Sequence, residues 1–424
     1  MNDTRYRRGG AGFLIKIACR NIRRNMRRTA LCVAAVGVAV FFIIVIQSLM
    51  GGMTGGIEKV VRVFDTGHIS AVSADYEAEK EYMPVQYPVG NGRAYSGLAA
   101  EIKAIPGVKA VFPRISAYAT LQDSTVKHAM LWGIDVEGET AVNNFNMTTR
   151  GDGLLEGRYP AADSNECAIG SVLAAKTGLR PGDRIPLKTV SAQFSDKMWN
   201  PVITGVFEFD YMKFDDSVIL VDFGRLRRLL VLGDAAQQIF VFAEKETRSR
   251  AIAAEMKLLL GEGDVVRDWQ DNYFVALMRQ SMAVFYLVEA VFLIVASFLI
   301  VNTMVMIVHE RIKEIGMMGS LGMTRSEIVR VFFFESVFLS VLGSLAGVIP
   351  GGVLTFAGSL FPLDFNALTG GGFKEFPASG ALFLEFGPGV LAMGFFSGVI
   401  IASICTLFPS LKSAFVEPVE ALRR

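Results

Sequence analysis

The 424-residue sequence lacks the short motifs that mark most enzymes. It contains no G-x-x-x-x-G-K-[ST] phosphate-binding loop, no G-x-S-x-G nucleophile turn and no H-E-x-x-H metal motif. These absences argue against a chain that itself holds ATP in a P-loop, and against serine hydrolases and zinc peptidases. Asp210, Asp215 and Asp216 are close in sequence, but such carboxylates in a turn are usually solvated. We therefore predict no catalytic residue.

Histidine and cysteine are scarce as well. The three histidines, His68, His128 and His309, are scattered, and no C-x-x-C accompanies them, so we predict neither a metal site nor a cofactor in this chain. The four cysteines are Cys19, Cys32, Cys167 and Cys405. Only Cys167 falls in the long polar region 58–281, so that region is predicted to have no internal disulfide and to depend on its own hydrophobic core.

Apolar residues, by contrast, are abundant and clustered. They make up 52% of the chain, and four tracts contain no charged residue: 29–57, 290–308, 336–363 and 386–411. A helix needs about 20 apolar residues to cross a bilayer, so the tracts predict four transmembrane helices. A cleaved signal peptide is the alternative for the first tract. We expect a retained anchor, because the tract is too long and has no A-x-A-like site near 50–56.

Lysine and arginine indicate the orientation of these helices. Residues 1–28 carry nine, the 309–330 loop four and the 412–424 tail three, whereas the 359–386 loop carries only Lys374. The bias predicts cytoplasmic termini, with residues 58–281 outside. The predicted segments are 1–28, a basic amphipathic helix; 29–57, 282–308, 331–358 and 387–411, the four spans; 58–281, an extracytoplasmic domain; 309–330, a cytoplasmic loop or helix; 359–386, an outer loop; and 412–424, a tail. A disordered basic arm is the alternative for residues 1–28.

The extracytoplasmic region alternates strand-like and helix-like patterns. We predict strands at 68–74, 108–121, 127–134, 202–209, 218–221, 239–243 and 265–267, and helices at 98–105, 171–177, 223–230 and 247–260. Residues 126–217 are richer in strands and turns, which indicates an inserted subdomain. From Asp271 the helical pattern continues into the second span, and a continuous helix there would couple the domain rigidly to the membrane. The predicted fold class is an α+β membrane protein whose large α/β extracytoplasmic domain lies between transmembrane helices 1 and 2.

The connection between the second and third spans is unusually ordered for a short polar loop. A charged cluster opens it, glycines follow at three-residue spacing, and Thr324 with Glu327 predicts a capping box that starts the next helix. The pattern favours a docking surface on the cytoplasmic side, and a solvated hairpin is the alternative. Glu289 and Glu335 fall within spans, where charge is costly, so each is a candidate functional residue or one that snorkels to an interface.

Several of these stretches together resemble the FtsX-like permeases, the membrane subunits of mechanotransmission-type ABC transporters. The matching motifs are Ala18-x-Arg20-Asn21-Ile22-x-Arg24-Asn25, Val301-Asn302-Thr303, Glu310-Arg311-x-x-Glu314-Ile315-Gly316, Leu321-Gly322-Met323-Thr324, Glu156-Gly157-Arg158-Tyr159-Pro160, Pro181-Gly182-Asp183 and Pro409-Ser410 with Ala421-Leu422-Arg423. Within that family the length and the missing ATPase are most similar to lipoprotein-releasing permease subunits. The resemblance covers nearly the whole chain.

The resemblance implies partners and site residues. The implied partners are a cytoplasmic ABC ATPase dimer, which holds the ATP and magnesium, a second permease subunit, and a lipoprotein or another periplasmic or membrane substrate. The implied ATPase interface is Glu310, Arg311, Glu314, Ile315, Gly316, Gly319 and Gly322. The implied location is the bacterial inner membrane, and nucleic acid is not among the expected partners.

A lipoprotein substrate would need an apolar cavity near the outer ends of the spans. Aromatic side chains and methionine suit acyl chains because they adapt to irregular apolar shapes. The candidate cavity residues are Phe41, Phe42, Val45, Met50, Phe285, Val288 and Phe292. Ordinary packing is the alternative for each one. The same architecture could also export a peptide or small molecule through an adaptor, or activate a periplasmic hydrolase.

Overall fold

The computed structural model describes residues 26–122, 126–142, 145, 153–209, 211–310, 312–320, 323–361, 363–364 and 381–413. The predicted N-terminal basic helix therefore lies almost wholly outside the described residues, as does most of the predicted outer loop. The chain forms two compact units. The helical unit comprises 1–52, 280–362 and 383–424, and the sheet unit comprises 53–279 and 363–382. Helices and sheet are both extensive, as the predicted fold class requires.

Long apolar helices dominate the helical unit. They are α1 (Met26–Val60), α9 (Tyr273–Glu310), α11 (Arg325–Leu360) and α12 (Pro388–Ser413), with the short α10 (Ile312–Ser320) before α11. Four segments are long and apolar enough to cross a membrane: Thr29–Asp65, Tyr273–Val295, Arg325–Leu360 and Pro388–Cys405. Four spans is also the number that the charge-free tracts predict.

Glycine allows three of these helices to pack closely. A Cβ atom built on Gly347 of α11 would lie 2.3 Å from the carbonyl oxygen of Gly37 in α1. A Cβ atom on Gly398 of α12 would lie 2.4 Å from a methyl carbon of Val40. Small residues of this kind let helix backbones approach in a membrane, where dispersion contacts replace the hydrophobic effect as the driving force.

The helix start predicted at Thr324 is confirmed. Its hydroxyl accepts a hydrogen bond from the Glu327 amide, and the Glu327 carboxylate accepts one from the Thr324 amide at 2.9 Å. Behind this capping box, α10 packs on α11 through a small core of Ile315, Ile328 and Phe332. The connection between α9 and α11 is therefore a folded helical hairpin over the residues that the structure describes.

The described residues of the sheet unit include thirteen strands. They are β1 (Ile69–Ser73), β2 (Val108–Leu121), β3 (His128–Ile134), β4 (Leu154–Gly157), β5 (Glu166–Gly170), β6 (Leu187–Val190), β7 (Asp196–Trp199), β8 (Val202–Phe207), β9 (Val218–Asp222), β10 (Gln238–Ala243), β11 (Asp264–Asp268), β12 (Leu363–Asp364) and β13 (Ala381–Leu382). The last two form a separate hairpin. Every strand predicted in this region is confirmed, with its ends shifted by at most two residues.

Eleven strands join in one sheet. The order is β11-β1-β10-β2-β3-β9-β5-β8-β4, with β6 paired to β2 and β7 to β6. The β3–β9 and β5–β8 pairs are parallel and the others are antiparallel. The stretch 126–217, predicted as an inserted subdomain, contributes β3 to β8 to this same sheet. Strands β3 and β9 are neighbours although more than 80 residues separate them in the sequence.

Seven α-helices accompany the sheet in the part of the unit that the structure describes. They are α2 (Ala74–Ala78), α3 (Tyr95–Lys103), α4 (Val136–Val142), α5 (Ser171–Thr177), α6 (Met212–Ser217), α7 (Phe223–Leu229) and α8 (Ser249–Leu260). Strand alternation divides the core between the two faces of the sheet, since Leu131 joins one buried cluster while Met130 and Trp132 join the other. Burying a large apolar side chain contributes about 1.5–3 kcal/mol, so both faces stabilise the unit.

Within the sheet unit, a buried ion pair holds the 61–65 turn against the sheet. Helix α1 continues as a π-helical turn, Val61–Asp65, at the end of which the Thr66 amide donates to the Val61 carbonyl oxygen. The Arg114 guanidinium on β2 donates to the carbonyl oxygens of Val63 (2.8 Å) and Phe64 (3.0 Å). It also donates twice to the Glu139 carboxylate, at 3.0 and 2.5 Å. Arg114 therefore caps the turn and neutralises Glu139 at once.

Candidate functional site

The helical unit contains a cavity of about 280 Å³. Three of the predicted residues line it: Met50, Phe285 and Glu289. The rest of the lining is Gln47, Gly51, Met282, Tyr286, Glu385, Gly389, Val390 and Met393. Three methionines and two aromatic rings make most of this wall apolar.

Helical spacing brings these side chains together. Residues 47, 50 and 51 on α1 share a face, as do 282, 285, 286 and 289 on α9, because positions three and four apart are neighbours on a helix. The start of α12 contributes Gly389, Val390 and Met393. A fourth wall comes from the 383–387 segment, which is anchored to α1. There the Ser48 hydroxyl donates to the Glu385 carbonyl oxygen at 2.6 Å, and the Glu385 amide donates to the Ser48 carbonyl oxygen at 3.0 Å.

Polar groups are few in this cavity. The Glu289 carboxylate is 8% exposed and accepts a hydrogen bond from the Gln47 side-chain amide at 3.3 Å. Glu385 supplies a second carboxylate, and it lies so close to α1 that a Cβ atom on Gly51 would overlap it. The arrangement is an apolar pocket with an acidic, hydrogen-bonding side, which can hold an apolar chain attached to a polar group.

The other predicted cavity residues lie elsewhere on the same helices. Phe42 and Phe292 stack with ring centroids 5.2 Å apart, and Phe41 meets Phe42 edge-on at 5.5 Å. None of these three rings lines the cavity, and Val45 and Val288 also lie outside it. Glu335 is buried on α11 and is also outside the cavity. Sequence reasoning missed Glu385 because it falls just before a charge-free tract rather than within one.

The predicted ATPase-interface residues occupy different environments. Glu310 is exposed at the end of α9, whereas Ile315 and Gly316 are buried against the hairpin core. Gly319 lies in α10, as does the backbone of Glu314. Arg311 and Gly322 are outside the described residues. Among the residues of α10 whose burial the structure describes, Lys313, Met317 and Ser320 are exposed.

Asp215 of the sheet unit differs from its expected setting, and Cys167 has an environment that the sequence did not predict. Asp215 was expected in solvent, but it is buried and accepts a hydrogen bond from the Phe209 amide at 2.8 Å. Cys167 is fully buried, and burial raises the pKa of its thiol. Among the described residues, no three His, Cys, Asp or Glu side chains lie close enough together to hold a metal ion.

Known proteins match both units. The family profile "MacB-like periplasmic core domain" matches residues 29–259, and "FtsX-like permease C-terminal" matches residues 286–418. The lipoprotein-releasing system transmembrane protein LolC of Xylella fastidiosa is 24% identical over 75% of this chain and 78% of its own. LolC of Neisseria meningitidis is 22% identical over 93% of this chain and 94% of its own. The crystal structure of the periplasmic region of MacB from Actinobacillus actinomycetemcomitans aligns with 51% of this chain and 92% of its own, at 11% identity and a TM-score of 0.33.

Proposed function

Because the chain belongs to the family of FtsX-like permeases with a MacB-like periplasmic core domain, we propose that it extracts lipoproteins from the bacterial inner membrane. It is an ABC transporter permease of the LolC/MacB type, and its LolC relatives are transmembrane proteins of lipoprotein-releasing systems. The observation that carries the lipoprotein assignment is the alignment of 93% of the chain with a lipoprotein-releasing relative. The energy would come from ATP hydrolysis in a separate subunit.

The cavity of the helical unit supports an acylated substrate. Each methylene of an acyl chain buried in lipid contributes about 0.8 kcal/mol, so a triacylated protein does not leave a bilayer unless a second apolar site receives its chains. Met50, Met282 and Phe285 offer such a surface, while Glu289 and Glu385 face the polar end of the ligand. At about 280 Å³ the cavity holds only part of such a ligand. A second permease subunit, identical or different, would complete it.

We assign coupling to the ATPase to the helical hairpin in which α10 packs on α11. Its exposed residues Lys313, Met317 and Ser320 would meet the ATPase together with Glu310 and Glu314, while the buried Ile315 holds α10 on α11. Movement of the hairpin then reaches α11 through that core. Work is done on the substrate only if the ATP-bound and ATP-free states differ in their affinity for it.

A polar substitution in the cavity tests the substrate assignment. Phe285→Gln removes apolar contact worth about 1.5–3 kcal/mol, so the purified complex should retain triacylated lipoprotein at least about tenfold less. Met50→Gln should act in the same direction. The matched control is Leu287→Gln, which makes a similar change on the same helix at a residue that is 66% exposed and outside the cavity. Basal ATP hydrolysis should be unchanged in all three variants.

Equal retention by Phe285→Gln, Leu287→Gln and the parent would reject the cavity as a lipoprotein site. Export of a soluble peptide or small molecule, or activation of a periplasmic hydrolase, would then become the better account.

The proposed orientation places both termini in the cytoplasm and residues 58–281 outside. Native Cys167 cannot report on it, because the thiol is buried and its pKa is raised. Phe194 is 76% exposed in the turn between β6 and β7. An impermeant maleimide added to intact spheroplasts should label Phe194→Cys and leave the parent unlabelled. Labelling of Phe194→Cys only after the membrane is permeabilised would reverse the orientation.

A further inference from the structure

The sheet unit has a larger cavity of its own, with a volume of about 730 Å³. This volume is within the usual range for small-molecule sites. Its floor is the sheet face formed by β10, β2 and β3, and its walls include the π-helical turn after α1 and the helix α6. It is formed wholly by residues of the sheet unit, so the inference drawn from it does not depend on the lipoprotein assignment.

Aromatic side chains form much of the cavity wall. Phe64, Trp132, Tyr211 and Phe214 belong to one packed cluster, with the Phe64 and Phe214 ring centroids 4.6 Å apart. Such rings present flat apolar faces that also attract cations through their quadrupoles.

The ring of Tyr211 is buried in this wall, whereas its hydroxyl is not among the buried atoms that lack a partner. Tyr211 is 8% exposed, and no described residue makes a hydrogen bond with its hydroxyl. Burial and the nearby Asp65 carboxylate raise the pKa of this phenol, so it stays protonated and can donate as well as accept. The hydroxyl is therefore available at the cavity to a polar group of a ligand.

The 79–83 segment forms a rim that is held in place. The Tyr118 hydroxyl donates to the Glu81 carbonyl oxygen at 3.0 Å, and the Gln237 side-chain amide donates to the Pro84 carbonyl oxygen at 2.9 Å. Met83 adopts a left-handed conformation with φ of 47°. These contacts keep the segment beside the cavity.

Acidic groups outnumber basic ones around the cavity. The carboxylates are Asp65, Glu77, Glu79 and Glu81, and the ammonium groups are Lys80 and Lys213. Glu77 pairs with Arg267 at 2.7 Å, which leaves three carboxylates facing two ammonium groups.

We propose that this cavity binds a small amphipathic molecule that has an aromatic or apolar body and carries a cationic, hydrogen-bonding group. The body lies against the aromatic wall, and the cationic group lies near the Tyr211 hydroxyl and the acidic rim. A neutral or anionic molecule of the same shape binds more weakly, because it gains neither the cation–π contact nor the attraction of the rim.

Two dyes that share a xanthene body but differ in charge test this proposal. Rhodamine 6G is cationic and has N–H donors, whereas fluorescein is anionic. Rhodamine 6G should quench the tryptophan fluorescence of the full-length protein in lipid nanodiscs when it binds. Fluorescein should bind at least about tenfold more weakly. Empty nanodiscs correct for partition of each dye into lipid.

Three variants locate the site. Ser116→Phe fills the cavity from β2 and should weaken rhodamine 6G binding at least about tenfold. Tyr211→Phe removes only the unpartnered hydroxyl and should weaken it about fivefold with no loss of thermal stability. Glu79→Lys with Glu81→Lys should weaken it about fivefold, while the matched exposed pair Glu255→Lys with Glu262→Lys should leave it unchanged.

The proposal would be overturned if two variants both bound rhodamine 6G with parental affinity: Tyr211→Phe, and the double variant Glu79→Lys with Glu81→Lys. This holds even if Ser116→Phe failed to fold. Equal binding of the two dyes by the parent would overturn the charge preference.

Discussion

Arg114→Met should lower the free energy of unfolding of the sheet unit by about 3–5 kcal/mol, because it leaves Glu139 as an uncompensated buried charge. Arg114 is 1% exposed and Glu139 is fully buried, so water cannot replace the lost partner. The variant also leaves the Val63 and Phe64 carbonyl oxygens without the donors that cap the π-helical turn. The guanidinium lies 4.0 Å from the ring centroid of Phe240, and that contact is lost as well.

Arg158→Met is the matched control. Arg158 also makes a two-point ion pair with a glutamate, Glu166, but its side chain is 59% exposed. Surface pairs of this kind contribute about 0–1 kcal/mol, so this variant should unfold close to the parent.

Thermal unfolding followed by tryptophan fluorescence measures the difference, since Trp132 lies beside Arg114. At a common heating rate, Arg114→Met should shift the transition down by about 10 °C, and Arg158→Met by about 2 °C or less. Adding Glu139→Gln to Arg114→Met removes the stranded charge and should recover part of the loss. Equal shifts in the two single variants, or no recovery in the double variant, would contradict the assigned role of the pair.

Local pattern was enough to predict most elements of the sheet unit. The alternation in 108–121 predicts a strand there, and β2 has those same ends. The 171–177 helix is likewise placed correctly, because Gly178 ends it in a left-handed conformation. Period and turn chemistry depend on neighbouring residues, and a single sequence contains that information.

Contacts between distant parts of the chain could not be predicted in the same way. The strands of 126–217 look like an insertion because they follow one another in the sequence. In the structure, however, β3 from this stretch pairs in parallel with β9, which lies after residue 217. Glu139 comes from α4, 25 residues after Arg114. The one sequence signal for this pair was a lone arginine within an apolar strand.

The membrane cavity was predicted only in part for a related reason. Hydropathy locates the outer halves of the spans, and two of the seven residues chosen there, Met50 and Phe285, line the cavity. Which face of each helix turns inward depends on close contacts such as Gly347 against Gly37, and these contacts are set by the partner helix. The residues Gln47 and Glu385 became visible only once that packing was known.

ATP-dependent transfer of lipoprotein should be the largest functional effect of this permease. Buried acyl chains hold a triacylated protein in its bilayer, so its spontaneous transfer is very slow. The measured transfer of lipoprotein should therefore be near zero without ATP and should rise when ATP is added. The change that reduces retention, Phe285→Gln, should reduce transfer in proportion, and Leu287→Gln should not.

The decisive measurement places the permease, its ATPase and a fluorescent triacylated lipoprotein in donor vesicles and follows transfer to acceptor vesicles. Transfer should require hydrolysable ATP and be absent with a non-hydrolysable analogue. Hydrolysis of ATP at the normal rate while all the lipoprotein stays in the donor vesicles would contradict it.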